Sequence, residues 1–547
     1  MSSFARYLVV GALSLTPLNA QAHSRCRFSP VYSQEQIRAN ATAFQNDMLF
    51  WESGFGGTNG VGYNPDNGMT YDGVILNQTT GIANISERHP FSAASKESLQ
   101  VMVLAHAIAG DPRAMLFVSP SESAAATPLA ANILSNKLQS YLAFNSSYPG
   151  FGGYLPWFLS NDTTLQPTSD FVNRVPGLDN GELLWAVYGL VEVLESSNDT
   201  SLQQLGTAWE AWLNYTKATA APIFYHYNNG SVCAVATLNQ TQLPTSLAAN
   251  YSCEGYNFLN DPYEGELFTW WLYFFSNLTQ AQKDQLWEVK RPQLVAFKYT
   301  GLVINTSFSD SIATNYSGLP VLNSSNPITV QNGFWFSSHE QWKLLEMPYL
   351  DIPLVYRIFH NAECVRTCNS VLMGQNSGMF ASVNNITDPI TGQIDGYISY
   401  AGTPSVANQT TQELDVVTPY SVFPTLLFNT SVGLAWYKNM LDGKGMQNLY
   451  GSSEALRRDG TGVSAFVSWD SKITTIVALL GGVGEFVGRR MKREGLYDEF
   501  VRVLTREYGM VFNESMGGSG LVGENVDLCY PDFQVPVVNV TDFETCR

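Results

Sequence analysis

The stretch Asp261 to Phe275, DPYEGELFTWWLYFF, leaves the chain few ways to fold. Asp261 is a natural N-cap, and Pro262 suits the first turn of a helix, so the segment reads as a helix that opens here. After Glu266 every position except Thr269 is apolar or aromatic. A helix that is apolar all round has no face to offer to water and must be enclosed by other elements. Glu264 and Glu266 therefore enter at the mouth of a buried, aromatic-walled helix. Burial there favours the neutral form of a carboxyl and suits it to general-acid work. Glu264 lies three residues after Asp261, the spacing of a capping box, so a structural reading competes with the catalytic one. Glu266 sits about 200° further round the helix. The two carboxyls cannot share one site: one faces the cleft and the other caps or pairs. Tyr263, Trp270 and Trp271 supply the apolar surroundings.

The same punctuation recurs along the chain as helix, glycine- and aromatic-rich loop, helix. Periodic apolar runs predict helices over 95–108, 127–141, 179–194, 202–218, 261–276, 280–297, 338–346, 421–439, 473–480 and 496–508. Strand-like alternation is scarce outside pieces such as 301–306. Long loops at 54–73, 147–158 and 332–342 carry Tyr71, Asp72, Trp157, Trp335 and His339, and long structured loops on a compact scaffold usually carry function. No linker, charge block or fixed-length repeat divides the chain. The expected architecture is all-α, an (α/α)6 barrel formed as a single domain over 23–547, with residues 1–22 a signal peptide ending in Ala20-Gln21-Ala22.

Nineteen Asn-x-Ser/Thr sequons, from Asn40 to Asn539, agree with a secreted, N-glycosylated protein. Net charge is −18, which excludes a nucleic-acid partner, since phosphates call for a basic footprint. No stretch outside the leader approaches the length of a membrane span. Charged residues are 14% and aromatics 13%, a balance that favours stacking on carbohydrate. The expected partner is a polysaccharide or oligosaccharide, bound by a monomer. Seven cysteines in an oxidising compartment imply three disulfides and one free thiol. The local pairings 233–253, 364–368 and 529–546 are plausible, although sequence alone leaves the connectivity open.

Two further segments carry candidate chemistry. Asp179 and Glu182 open a second strongly apolar helix, Asp179 as an N-cap or as a ligand for sugar hydroxyls. Between Asp442 and Asp470 a glycine-rich loop leads through Asn448 to Glu454 and then to Trp469 and Asp470. An inverting glycosidase needs a base carboxylate opposite its acid, with room for a water, and Asp442 or Glu454 can supply one. The six histidines show no metal-binding spacing. His23 at the mature N-terminus has no β-sandwich host for an oxidative copper site. No metal or other cofactor is expected.

At these residues the chain resembles the fungal endo-β-1,2-glucanases of glycoside hydrolase family 162. The matching segments are CRFSPVYSQ (26–34), NGMTYDGVILNQTTG (67–81), GLDNGELLWAVYGL (177–190), DPYEGELFTWW (261–271) and YGSSEALRRDGTGVSAFVSWDSKITT (450–475). The resemblance implies a secreted (α/α)6-barrel enzyme that cleaves β-1,2-glucan internally with inversion and without a metal. It places the general acid on the Glu of DPYEGE, Glu264 in preference to Glu266. It places the base on an Asp of the loop before YGSSEA. This chain offers Asp442 there, with Asn448 at the gap-free position and Glu454 as the other acid. Tyr71, Asp72, Trp157, Asp179, Glu182, Tyr263, Trp335, His339, Asn448, Trp469 and Asp470 are the expected substrate-binding residues.

Overall fold

Four helices that are buried on nearly every side form an inner layer: Ala94–Ile108, Gly177–Glu195, Gly265–Phe275 and Trp469–Leu480. The computed structural model describes residues 25–160, 164–245, 251–299, 304–305, 328–332, 341–373, 416–457, 462–512, 526–531 and 540–547. Contacts run side by side from Phe423–Phe428 to Trp469–Leu480, then to Ala94–Ile108, Gly177–Glu195 and Gly265–Phe275. Some of the helices between them in sequence have one wet face and pack outside. Thr200–Phe224, for example, lies against both Gly177–Glu195 and Gly265–Phe275, burying Leu202, Gly206, Trp209, Leu213 and Thr216 at helical spacing. Two layers of helices follow from these two kinds of helix.

Tryptophan dominates the interior. Trp270 stacks on Phe274 at 5.1 Å and meets Trp287 and Phe500 at 4.9 Å each. Each such ring contributes roughly 1.5–3 kcal/mol through burial. Its indole N–H, which would be costly to bury alone, donates to the Tyr349 hydroxyl at 2.9 Å.

Helix positions follow the sequence closely where burial is all-round and less well elsewhere. The helix expected from Asp261 starts at Gly265 instead. Asp261 Oδ1 accepts from the backbone N–H of Tyr263 and of Gly265, both at 3.0 Å, and closes a turn ahead of the helix. A Cβ on Gly265 would stand 2.1 Å from Asp261 Oδ2, so only glycine fits. Glu264 occupies the N-cap position but makes no side-chain cap hydrogen bond, and the capping-box reading falls. The helix expected over 280–297 ends at Lys290, before Pro292, and Ala296–Tyr299 turns into a strand paired with Ile328–Gln331. The 421–439 prediction divides at Asn429, whose side chain caps the N-terminus of Thr430–Leu441. Of the 338–346 prediction, Lys343–Glu346 is helical, while 338–340 lie outside the described residues, as do residues 1–22. The helices Thr42–Gly56, Pro353–Met373 and Gly484–Glu494 were not anticipated.

Small antiparallel sheets of two or three strands decorate the loops. One of them orders the site. Gly73–Leu76 pairs with both Phe466–Ser468 and Ala83–His89, with Gly73 opposite Ser468 on one side and His89 on the other. A Cβ at Gly73 would meet the Phe466 ring at 2.4 Å, so glycine permits this approach.

Among the described residues the disulfides are Cys26–Cys546, Cys233–Cys253 and Cys368–Cys529, and Cys364 is a buried thiol outside them. The 233–253 pairing is as expected; 364–368 and 529–546 are not. Cys364 and Cys368 stand four residues apart on one helix, where Cβ atoms are about 5–6 Å apart and a disulfide needs about 3.5–4.5 Å. Sequons Asn40, Asn77, Asn198, Asn214, Asn239, Asn277 and Asn429 are exposed.

Candidate active site

The inner helices begin at one place. The first turns of Ala94–Ile108, Gly177–Glu195, Gly265–Phe275, Lys343–Glu346 and Trp469–Leu480 bring together Lys96, Asp179, Glu182, Glu264, Glu346 and Asp470, which act on one another electrostatically. Helix N-termini carry partial positive charge, which favours acidic side chains at such a junction.

The two carboxyls of DPYEGE have separate fates. Glu266 is fully buried and its carboxylate is saturated. Lys343 Nζ pairs with Oε2 at 3.0 Å, the Tyr349 hydroxyl donates to Oε2 at 2.6 Å, and the Tyr508 hydroxyl donates to Oε1 at 3.1 Å. Burial, followed by the Glu266 charge, pushes both tyrosines well above their ordinary range, so they remain donors. Burial lowers Lys343 despite its partner. Glu266 is thus enclosed by three donors and has no open face. Glu264 is only half-buried. The turn that delivers it is pinned from below by Lys290, whose ammonium donates to the carbonyls of Leu259 at 2.6 Å and Asp261 at 3.0 Å; burial pushes this lysine down to about 8.

Two carboxyls around Glu264 have no hydrogen-bond partner on any oxygen: Glu182 and Glu346, both fully buried. Burial raises Glu182 well above the carboxylate range, reinforced by Glu346, Glu264, Asp179 and Asp470. Burial and then Glu264 do the same to Glu346. Burial therefore favours the neutral form of both carboxyls.

Beside them lies a charged wall. Lys96 pairs with Asp470 at 3.0 Å and Asp72 at 3.8 Å, and Asp72 Oδ2 lies 3.1 Å from His89 Nδ1. Burial works against the Lys96 charge, but Asp470, Asp72 and Asp179 outweigh it and hold the lysine above its usual range. The Trp157 indole donates to Asp179 Oδ2 at 3.1 Å. Trp157 stacks on Phe171 at 4.7 Å and on Phe91 at 6.2 Å, and Phe91 stacks on His89 at 6.0 Å. Half-buried Trp157, Phe91 and His89 form a row of rings beside the carboxyls, a surface suited to the apolar faces of sugars.

The sequence-derived residues divide accordingly. Asp72, Trp157, Asp179, Glu182, Glu264 and Asp470 come together. Tyr71 is buried under the Arg88 guanidinium, 4.0 Å above its ring, and Tyr263 is buried with its hydroxyl on the Asn332 carbonyl. Trp469 is buried with its indole N–H on the Gly62 carbonyl. It forms the wall behind the site rather than a stacking face. Asn448 is buried and closes its own hairpin, accepting from Tyr450 N–H at 2.8 Å and donating to Ser453. Glu454 is buried and accepts from the Ser468 and Ser471 hydroxyls. Asp442 ends the Thr430–Leu441 helix, held by Ser29 Oγ at 2.6 Å and Lys438 Nζ at 2.6 Å, with its side chain 36% exposed. Trp335 and His339 lie outside the described residues. Sequence reading missed Lys96, His89, Lys343 and Glu346. The signal for Lys343 and Glu346 was a pair of charges in an otherwise apolar run, WKLLEM, whereas Lys96 lies in the polar segment SKESLQ and gave none. Among the described residues no group of three or more His, Cys, Asp or Glu side chains is arranged to hold a metal ion.

Solved structures place this arrangement. An endo-beta-1,2-glucanase from Talaromyces funiculosus in complex with sophorose is 52% identical, with a TM-score of 0.86 over 96% of this chain and 100% of that one. A Glu-to-Gln variant of the same enzyme with beta-1,2-glucan matches equally. An endo-beta-1,2-glucanase from Chitinophaga pinensis, complexed with sophorotriose and glucose, shares the fold at 10% identity and a TM-score of 0.51, over 84% of this chain and 95% of that one. No curated protein matches the chain. The family described as endo-beta-1,2-glucanase SGL, glycoside hydrolase family 162, matches residues 69–309 and 314–547, and the chain belongs to it.

Proposed function

We propose that this protein is a secreted endo-acting hydrolase of β-1,2-glucan that works with inversion, on an (α/α)6 toroid formed by the two helical layers as a single domain. The observation that carries the reading is Glu264: a half-buried carboxyl at the mouth of a fully buried helix, beside the aromatic row and two buried carboxyls without hydrogen-bond partners. Glu264 gives its proton to the glycosidic oxygen as the bond to the anomeric carbon breaks. A water attacks that carbon from the opposite face, and the base takes its proton. Of the base candidates, Glu454 is enclosed, Asn448 carries no charge, and Asp442 alone reaches solvent with lysine and serine support. Asp442 is the base that the family resemblance offers; it stands apart from the cluster around Glu264, held by Ser29 and Lys438. Lys96, Asp72, Asp179 and Trp157 hold the sugar hydroxyls and ring faces. The leader and sequons support secretion, and a monomer needs no further surface.

A reducing-end assay on linear β-1,2-, β-1,3-, β-1,4- and α-linked glucans tests the reading. Short oligosaccharides are expected from the β-1,2 polymer alone, with α-configured new ends by NMR. Binding to the glucan without new reducing ends would refute hydrolysis, and cleavage of another linkage would refute the substrate.

A further inference from the structure

The helices Gly265–Phe275 and Gln280–Lys290 are 11 residues each, with a short connection between them, and the second runs back along the first. Equal lengths at equal rise bring the last residue of the second level with the segment ahead of the first. The buried face of Gln280–Lys290 is Leu286, Trp287 and Lys290, at helical spacing. Leu286 and Trp287 are what such a stripe calls for, and Trp287 packs on Trp270 at 4.9 Å. Lys290 is not. It takes an apolar place at 1% exposure, and burial lowers it despite Asp261 and Glu266. An ammonium is expensive to bury unless its donors are used.

Those donors go to backbone rather than to a carboxylate. Nζ donates to the Leu259 carbonyl at 2.6 Å and to the Asp261 carbonyl at 3.0 Å. Lys343 takes the next carbonyl, that of Pro262. All three lie ahead of the Gly265–Phe275 helix, where no helical ladder serves them, so the turn draws its partners from outside. From the other side, Asp261 Oδ1 accepts from the Tyr263 and Gly265 N–H groups, and the Tyr263 carbonyl accepts from Glu266 N–H at 3.1 Å. Glu264 therefore stands on backbone gripped both before and after it. Its side chain makes no cap hydrogen bond, so the backbone beneath sets where that side chain starts.

We propose that Lys290 is a positioning residue for Glu264: by holding the carbonyls of Leu259 and Asp261, it fixes the turn from which the acid reaches the glycosidic oxygen. Lys290 acts through Glu264 and is given no contact with the sugar. A proton donor must come within about 2.6–3.2 Å of the atom it protonates. A misplacement of about 1 Å costs on the order of 100-fold in rate. Methionine would complete the apolar stripe at less cost to the fold, but it would leave both carbonyls unheld. The inference rests on the reading of Glu264 as the acid.

The test is Lys290→Met, which keeps the length of the side chain and removes its donors, assayed well below its own Tm. On β-1,2-glucan its kcat is expected to fall about 10–100-fold, with KM within about twofold of the parent. A second substrate separates a misplaced acid from a loosened fold: a β-1,2-linked oligosaccharide with a dinitrophenyl leaving group, which departs without a proton. On it Lys290→Met is expected to come within about threefold of the parent, since no general acid is needed. Parental kcat on the glucan, or an equal loss on both substrates, overturns the proposal, even if the Tm changes. If Lys290→Met does not fold, Lys290→Gln, whose shorter amide cannot span both carbonyls, is read on the same two substrates by the same criteria. Full activity of Glu264→Gln on the glucan removes the acid assignment itself, which separates that failure from this one.

Discussion

Replacing Glu266 and Glu264 by glutamine, one at a time, separates structure from catalysis within three residues. Glu266→Gln leaves Lys343 buried with the Pro262 carbonyl and the Tyr508 hydroxyl but without an opposite charge. Breaking one side of a buried pair costs about 3–5 kcal/mol. The amide oxygen keeps one acceptor for Tyr349, and Lys343, already lowered by burial, sheds its proton readily, so the lower end applies. Unfolding entropy of about 2.1 cal/mol/K per residue over 547 residues is about 1.1 kcal/mol/K if the chain melts as one unit. A loss of about 3 kcal/mol is then a fall in Tm of about 3 °C. Glu264 is the N-cap position without a cap bond, so Glu264→Gln should melt within about 1 °C of the parent. Its kcat should fall about 10²–10⁴-fold, the usual contribution of a general acid. Calorimetry and a reducing-end assay on the same preparations give both numbers. The reasoning fails if Glu266→Gln melts like the parent yet is inactive while Glu264→Gln retains its rate, since the two roles would then be exchanged.

Glu182 should make the protein less stable as pH rises. Its ordinary value is 4.5 and burial raises it in the fold, so between those limits the native state binds a proton that the unfolded state has lost, and stability falls with pH. Glu182→Gln should flatten the decline in Tm from pH 5 to pH 8; an unchanged slope would remove Glu182 as its source. Gly265→Ala should cost stability and activity together, because its Cβ meets the Asp261 carboxylate at 2.1 Å, and a variant that melts like the parent would show that the turn gives way. Peptide mapping under non-reducing conditions should recover 26–546, 233–253 and 368–529, and Cys364→Ser should leave all three in place; recovery of a 364–368 peptide would refute the helical placement of that pair.

How much of this was legible depended on whether a segment's surroundings were written into the segment. An all-round apolar helix announces its burial, so Ala94–Ile108, Gly177–Glu195 and Gly265–Phe275 appeared within a few residues of their observed ends. Asp261 showed what local signals leave out. Its sequence position suits an N-cap, but its carboxylate closes a turn with Tyr263 and Gly265, and the helix starts four residues later. Strands such as Gly73–Leu76 were invisible because their partners, Ala83–His89 and Phe466–Ser468, supply the pattern from elsewhere in the chain. Disulfides obey the same limit: 233–253 joins near neighbours, whereas 26–546 ties the two tails together across the whole fold.

The site was half legible for a related reason. Glu264 and Glu266 look alike in sequence, and only the facing helix tells them apart, by setting a lysine against one and a glutamate against the other. Glu266 is answered by one cation and two hydroxyl donors, Lys343, Tyr349 and Tyr508. Burying Glu182 and Glu346 near Glu264, neither of them hydrogen-bonded, raises the free energy of the fold without tightening any contact. Strain of that kind persists where chemistry uses it, which supports the proposal that Glu264, rather than Glu266, gives its proton to a sugar.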